Sequence, residues 1–231
     1  MKPLRTRIIP GAGPGTQHIA GIQEPLPPGE RLLWQGAPDW RVLAVTALHL
    51  RKLGLYFGAL LLLHMAASMR DGATLAHALG NALPLALLAA GALGLLAFYA
   101  WASARTTIYA VTTRRVVLRV GVALPITVNL PFTGIESVAL RRRDGGHGDL
   151  PIALRDDVRL AWLHLWPHAR PWRLARTQPM LRAVPRAEEV AKVLAAALQA
   201  AADDAQPAVS PVAPAAAPQP RNALASTPVA A

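Results

Sequence analysis

The sequence predicts an α+β membrane protein, in which a transmembrane helical hairpin is followed by a β-sandwich or barrel capped by a C-terminal helix. Three observations predict it. Charged residues make up only 16% of the 231 residues, below the roughly 25% that is typical of soluble domains. Two long stretches carry no charged residue. After them, apolar and polar residues alternate with a period of two, as they do in half-buried strands.

The chain begins with an arm and a lead-in to the membrane. Residues 1–29 are rich in proline and glycine, which favours an irregular arm. Residues 30–52 are predicted to be a cytoplasmic or interfacial helical lead-in, with the helical pattern in its second part, 39–52. Asp39 can cap that helix, and apolar residues recur at helical spacing. The helix either lies at the membrane interface or extends the first span.

Residues 53–104 form the predicted transmembrane hairpin, with spans at about 53–69 and 82–104, neither of which contains Asp, Glu, Lys or Arg. At about 1.5 Å per residue, the second span covers about 34 Å, enough for a hydrocarbon core of about 30 Å. The first covers about 26 Å and relies on its basic flanks. Lysine and arginine lie mainly before the first span and after the second. The positive-inside rule therefore predicts that both termini are cytoplasmic and that the loop 70–81 lies on the opposite side.

The predicted cytoplasmic domain covers residues 105–203. Its predicted strands alternate between apolar and polar residues, which is typical of an antiparallel sandwich or barrel: 114–120, 126–130 and 158–166. A helix is predicted after Pro185, because two glutamates occupy its first turn and apolar residues form one stripe. Residues 204–231 form an Ala/Pro-rich tail that is predicted to be disordered.

Residues 29–62 and 106–154 carry a family resemblance. The second stretch contains a strand motif, YAVTTRR at 109–115, followed by IESV at 135–138. The chain from about 29 to 200 resembles the PuhB family of photosynthetic complex assembly proteins of purple bacteria, and its second stretch also resembles bacterial pleckstrin-homology-like membrane domains. This resemblance implies two near-orthogonal antiparallel sheets closed by a C-terminal helix, in a bacterial photosynthetic inner membrane. It implies a non-catalytic assembly role, with subunits of the reaction centre and the core light-harvesting complex as partners, and it leaves open whether the protein forms a homodimer.

Enzyme chemistry is not expected. The chain contains no cysteine, which excludes disulfides, thiolate metal sites and cysteine nucleophiles. The phosphate-loop, dinucleotide, zinc-protease and serine-hydrolase motifs are also missing from the sequence. We therefore predict no catalytic residue, no metal site and no resident cofactor.

His64 is the one candidate for a cofactor ligand. It lies in the first predicted span, and an ionisable group within a membrane is a candidate functional residue. Its imidazole could ligate bacteriochlorophyll or haem, which gives the alternative function of a pigment- or haem-ligating membrane carrier. The competing interpretation is a neutral histidine that is hydrogen-bonded within the hairpin.

Basic residues are the candidates for partner or lipid binding. The net charge is +11, which predicts an acidic partner. We expect arginines close to the second span and in a run further on to contact anionic headgroups or acidic segments of other subunits: Arg114, Arg115, Arg141, Arg142 and Arg143. Positive-inside bias and a solvated surface explain the same residues. Nucleic acid is not expected, because the domain is tethered to the bilayer and lacks a recognisable reading helix.

Small residues in the hairpin are the candidates for helix docking. Gly54 and Gly58 form a small-xxx-small pair, and Gly91 and Gly94 offer close approach on the second span. They either dock helices of other subunits or pack the two spans against each other.

Overall fold

The computed structural model describes residues 7–8, 19, 21–22, 25–156, 160–173 and 176–205. Most of the predicted arm and residues 206–231 of the predicted tail lie outside the described residues. In chain order the described elements are β1 (Arg7–Ile8), β2 (Leu32–Gly36), α1 (Trp40–Thr46), α2 (Leu50–Arg70), α3 (Leu75–Thr106), β3 (Ile108–Thr112), β4 (Arg115–Val120), β5 (Ile126–Pro131), β6 (Ile135–Val138), β7 (Arg141–Arg142), β8 (Gly148–Leu154), α4 (Trp162–Leu165), β9 (Met180–Val184) and α5 (Ala187–Ala205).

Two antiparallel sheets and a closing helix form the domain. The first sheet has the order β1-β2-β3-β4-β5, and in the second sheet β6, β7 and β9 all pair with β8. Large apolar side chains from both sheets fill the core: Trp34, Tyr109, Leu118, Leu150, Ile152 and Leu181. Helix α5 covers this core with Val190 and Leu194, which are fully buried. The predicted α+β fold class, with its hairpin, sheets and C-terminal helix, is confirmed.

The first sheet is assembled from both sides of the hairpin. Strand β2 precedes α2 and α3, yet it pairs with β3, which follows them, with Gln35 opposite Ala110. The lead-in was predicted to be helical, and for 32–36 this is wrong. The strand shows no alternation because both of its faces are covered, one by the core and the other by Ile19, Ile22 and Leu26 of the arm. The hairpin of α2 and α3 is therefore an insertion between two paired strands of the sheet.

The predicted helical lead-in is a separate helix. Helix α1 ends at Thr46, and His49 then adopts a left-handed backbone conformation (φ 56°) before α2 begins at Leu50. Ala44 of α1 and Leu48, just after it, pack against Ala100 of α3, so α1 lies beside α3 as a separate short helix and does not extend the first predicted span.

Both hairpin helices are longer than their predicted spans. Helix α2 covers about 31 Å and α3 about 48 Å at 1.5 Å per residue. Because α2 ends at Arg70 and α3 begins at Leu75, residues 71–74 connect them. Thr74 caps α3 and starts it seven residues before the predicted span. Both are apolar enough to cross a membrane.

The predicted strand at 158–166 is wrong in its described part. Residues 162–165 form one helical turn, α4, which buries Leu165 and exposes Leu163. Alternation over so few residues fits one helical turn as well as a strand, because residues three apart also share a helix face.

Candidate functional site

A buried polar cluster connects the hairpin to the sheets where α3 ends and β3 begins. His168 is completely buried at its centre. Its Nδ1 lies 2.6 Å from the Tyr109 hydroxyl, and its Nε2 lies 3.1 Å from Thr107 Oγ1 and 3.3 Å from Ser103 Oγ. His168 therefore links three residues at the end of α3 and the start of β3 into one network between α3 and the domain.

Hydrogen-bond geometry assigns the protons in this cluster. The backbone N–H of Arg182 donates to the Tyr109 hydroxyl oxygen over 3.1 Å, so the hydroxyl proton is available to His168 Nδ1. The Nε2–H of His168 then donates to the threonine and serine hydroxyls. Burial lowers the pKa of His168 to about 3 and raises the pKa of Tyr109, so both groups are neutral near pH 7. This arrangement stabilises the junction between α3 and the sheets.

Asp149 supports the cluster from the second sheet. It is 1% exposed and accepts a hydrogen bond from the backbone N–H of Ala183 at 3.0 Å. Its other oxygen accepts from Arg143 Nε at 2.8 Å. Two residues before Asp149, His147 Nε2 lies 3.3 Å from Oδ2 of Asp39, the N-cap residue of α1. This contact connects the β7–β8 turn to α1. Asp149 and Arg143 therefore hold the sheet together beneath the junction.

The predicted basic residues lie in two places. Arg114 is in the turn between β3 and β4, and Arg115 is the first residue of β4, at the end of β3 that lies away from helix α3. The five residues of β3 separate Thr107 from this turn, which is about 17 Å at 3.3 Å per residue. The structure therefore places the two arginines away from the second span. Arg115 makes two hydrogen bonds of 2.9 Å to the buried carboxylate of Glu30, whereas Arg114 is exposed.

The arginine run contributes partly to internal ion pairs. Arg142 contacts Glu188 of α5 at 2.7 Å, and Arg143 contacts Asp149. Arg141 is exposed on β7. Binding of lipid or protein by these arginines stays a prediction, and the three ion pairs show that Arg115, Arg142 and Arg143 already have partners within the chain.

His64 lies on the outer surface of α2. Its side chain is exposed, and no hydrogen-bond partner for it is found among the described residues. Hydrogen bonding within the hairpin, the competing interpretation, is thus not seen at this residue. The part of the chain that the structure describes contains no group of three or more His, Asp or Glu side chains that could hold a metal ion.

The hairpin glycines do not pack its two helices together. A Cβ added at Gly54, Gly58, Gly91 or Gly94 would meet no described atom within 4 Å. Helix α2 is described in full and has no buried residue, while α3 buries alanines along the part that lies beside α2: Ala78, Ala82 and Ala89. The glycines therefore leave open surface on the outside of the hairpin.

One of these open surfaces is a groove on α3. It has a volume of about 540 Å³, and Gly91, which has no side chain, is among its lining residues. Its walls are apolar: Pro84, Leu87, Leu88, Ala92 and Leu95. Such a groove can accept an apolar side chain or ridge from another helix within a membrane.

Aromatic side chains lie around the C-terminal end of α3, next to the domain. Tyr99 stacks on Trp166, with ring centroids 5.5 Å apart and an angle of 26° between the rings. The Arg105 guanidinium lies over the Trp101 ring at 4.8 Å. Sequence reasoning missed Trp166, because it was placed on a strand. The interfacial preference of tryptophan was the signal that could have identified it.

Comparisons with known proteins agree with this architecture. The family model described as "Bacterial PH domain" matches residues 58–198, more than half of the chain. A curated relative is described as an uncharacterised 23.7 kDa protein in the puhA 5′ region of Rhodobacter capsulatus. It is 40% identical over 203 residues, which cover 85% of this chain and 92% of the relative. No solved structure matches the chain. The chain therefore belongs to the bacterial PH domain family, and its similarity to a protein of the puhA region is consistent with the PuhB-like group.

Proposed function

We propose that this protein is a non-catalytic integral membrane assembly factor for the photosynthetic reaction centre and the core light-harvesting complex. It crosses the bacterial inner membrane twice with both termini in the cytoplasm. It binds subunits of these complexes, its clients, through the hairpin and the cytoplasmic domain. Three observations support the proposal: two helices apolar enough to span a membrane, membership of the bacterial PH domain family, and the relative from the puhA region.

The open outer surface of the hairpin is the observation that carries the proposal. Helix association in lipid depends on close packing at small residues, because lipid tails are as apolar as leucine. In this hairpin the alanines of α3 lie toward α2, while Gly54, Gly58 and Gly91 are left open. The glycines are thus available to the transmembrane helices of client subunits.

The groove at Gly91 provides the sharpest test. A Gly91→Leu variant places a side chain in the groove on α3, and Gly58→Leu adds one to the open surface of α2. Gly80→Leu is the matched control, because Gly80 is equally open on α3 but does not line the groove. Each variant is tagged, expressed in photosynthetically grown cells and used to capture reaction-centre and antenna subunits, which are identified by mass spectrometry.

We expect Gly91→Leu, Gly58→Leu or both to reduce capture severalfold, while all variants insert into the membrane equally. Gly80→Leu should capture as the parent does. If Gly91→Leu and Gly58→Leu both capture client subunits at the parental level, docking through the hairpin is contradicted.

Membrane orientation is tested independently. Residues 71–74 join the two helices, so a reporter at Asp71 and a second at Ala205 should report opposite compartments. The same compartment for both reporters would contradict the two-span topology.

The alternative function, a pigment- or haem-ligating carrier, has one observation in its favour. The His64 imidazole faces outward and has no hydrogen-bond partner among the described residues, so its nitrogens are available as ligands. The carrier hypothesis expects purified parent protein to be coloured and His64→Leu to be colourless. Colourless parent protein would contradict it.

A further inference from the structure

We propose that the cytoplasmic domain inserts two apolar tips into the cytoplasmic leaflet of the bilayer. The first tip is helix α4 with Leu163 and Trp166, and the second is the β4–β5 turn with Val122 and Leu124. We call these two segments the membrane foot. The inference rests on the proposed membrane-spanning hairpin, and it adds a lipid contact that is apolar and does not involve the arginines predicted from the sequence.

The depth of the first tip follows from its contact with α3. Arg105 is the first charged residue after the apolar part of this helix, and Tyr99 lies six residues before it, about 9 Å further into the membrane. Trp166 stacks on Tyr99 and therefore lies at the same depth. This is the boundary between headgroups and acyl chains, where tryptophan and tyrosine are enriched.

Leu163 extends the first tip into the surrounding medium. It lies three residues before Trp166, which directly follows α4 as its C-cap, and both side chains are exposed. Leu163 is 77% exposed and Trp166 is 42% exposed. Leu165, in the same helical turn, faces the domain. It is buried in the core and holds α4 in place.

Strand register places the second tip at the same end of the domain. Ile108, two residues after α3 ends, is paired with Arg119 near the end of β4. The turn that follows β4 is therefore on the membrane side of the first sheet. Leu124 in this turn is 84% exposed.

Gly121 fixes the shape of that turn. Its φ is +116°, and a Cβ at this position would lie 2.4 Å from the carbonyl oxygen of Leu124. Only glycine permits this close approach, so the apolar tip is held in a defined conformation.

The lipid leaflet is the occupant that fits these tips best. Both tips are next to the cytoplasmic end of the same membrane helix, so the bilayer that surrounds α3 also reaches them. Arg105 stacks over Trp101 at this level, which is the pairing of cation and aromatic side chain expected at the headgroups. An interfacial segment of this kind fixes how close the domain lies to the membrane.

Single cysteines test the proposal cleanly, because the chain contains none of its own. Leu163→Cys and Leu124→Cys carry an NBD fluorophore in full-length protein, reconstituted into vesicles of phosphatidylcholine and phosphatidylglycerol. Leu62→Cys, 70% exposed on α2, is the control for the membrane interior. Arg114→Cys, exposed at the far end of the first sheet, is the control for water and for insertion driven by the fluorophore alone.

We expect labels at Leu163 and Leu124 to be severalfold less accessible to iodide than the label at Arg114. A lipid with a nitroxide near its headgroup should quench both, whereas a deeper nitroxide should quench the label at Leu62. Iodide access at Leu163 and Leu124 equal to that at Arg114, with Leu62 deep, would overturn the membrane foot and leave the hairpin intact. A label at Leu62 that is accessible to iodide would overturn both the membrane foot and the membrane-spanning hairpin. Protection from iodide without quenching by lipid would indicate a second copy of the chain on the tips and would also overturn the proposal.

Discussion

Replacing Tyr109 with phenylalanine should loosen the connection between the hairpin and the domain. The change removes one hydroxyl and leaves two buried groups without a partner: the backbone N–H of Arg182 and Nδ1 of His168. An unsatisfied buried polar group costs about 1–3 kcal/mol, so the two together cost about 2–6 kcal/mol. Domains are typically stable by only about 5–15 kcal/mol, so the loss is a large share of the total.

Thermal unfolding in a mild detergent measures this effect, with near-ultraviolet circular dichroism of the tryptophans as the signal. At about 2–4 °C per kcal/mol for a protein of 150–250 residues, the lower limit of about 2 kcal/mol corresponds to a fall in Tm of about 4–8 °C. Tyr56→Phe is the matched control, because Tyr56 is 58% exposed on α2 and loses the same hydroxyl. Equal Tm values for the two variants would refute the assigned network.

Three further predictions follow from buried or constrained groups. Burial lowers the pKa of His168 from 6.5 to about 3, so its contribution to stability is complete above pH 6.5 and is lost as the pH falls toward 3. In unfolding titrations, the free energy of unfolding of the parent should fall by about 2 kcal/mol between pH 7 and pH 5 from this group. The free energy of unfolding of His168→Gln should depend less steeply on pH. Arg115→Gln leaves the buried carboxylate of Glu30 without its charged partner and should destabilise the domain by about 3–5 kcal/mol in denaturant titrations. Arg114→Gln is the control and should change stability little, because Arg114 is exposed. Equal effects of the two substitutions would contradict the ion pair. Gly121→Ala should lower Tm by straining the β4–β5 turn, and an unchanged Tm would show that the turn is not constrained.

Local patterns in the sequence were sufficient for the long elements. Uncharged stretches of membrane length predicted α2 and α3, and the apolar stripe with Glu188 and Glu189 in its first turn predicted α5. Alternation predicted β4 and β5. In each of these elements, one periodicity is repeated over enough residues to separate helix from strand.

Short elements covered on both faces could not be predicted in this way. Strand β2 has five residues, and both of its faces are buried, so it shows no alternation. Helix α4 has only four residues, over which helical and extended periodicities coincide. The arm packs Ile19 and Ile22 on β2, which its proline and glycine content did not indicate.

The residues of the candidate site could also be predicted from the sequence only in part. His64, Gly54 and Gly58 were identified from the sequence because a polar or very small residue in an apolar span is conspicuous by itself. The arginines were identified by charge, but their distance from the membrane and their ion pairs depend on strand register, with Arg115 bound to Glu30 across 85 residues. The cluster around His168 was missed because its members are separated by up to 79 residues of chain, from Ser103 to Arg182.

The amino-acid sequence by itself determined which segments can enter a membrane, where the β-rich domain lies and which residue types are available for binding. Those properties depend on local hydrophobicity, charge and periodicity, which each segment carries alone. Only the tertiary structure decided that β2 and β3 pair across the hairpin, that His168 joins α3 to the sheets, and that Trp166 lies beside Tyr99. Burial, hydrogen-bond partners and depth depend on which distant segments meet, and packing of the whole chain determines those meetings.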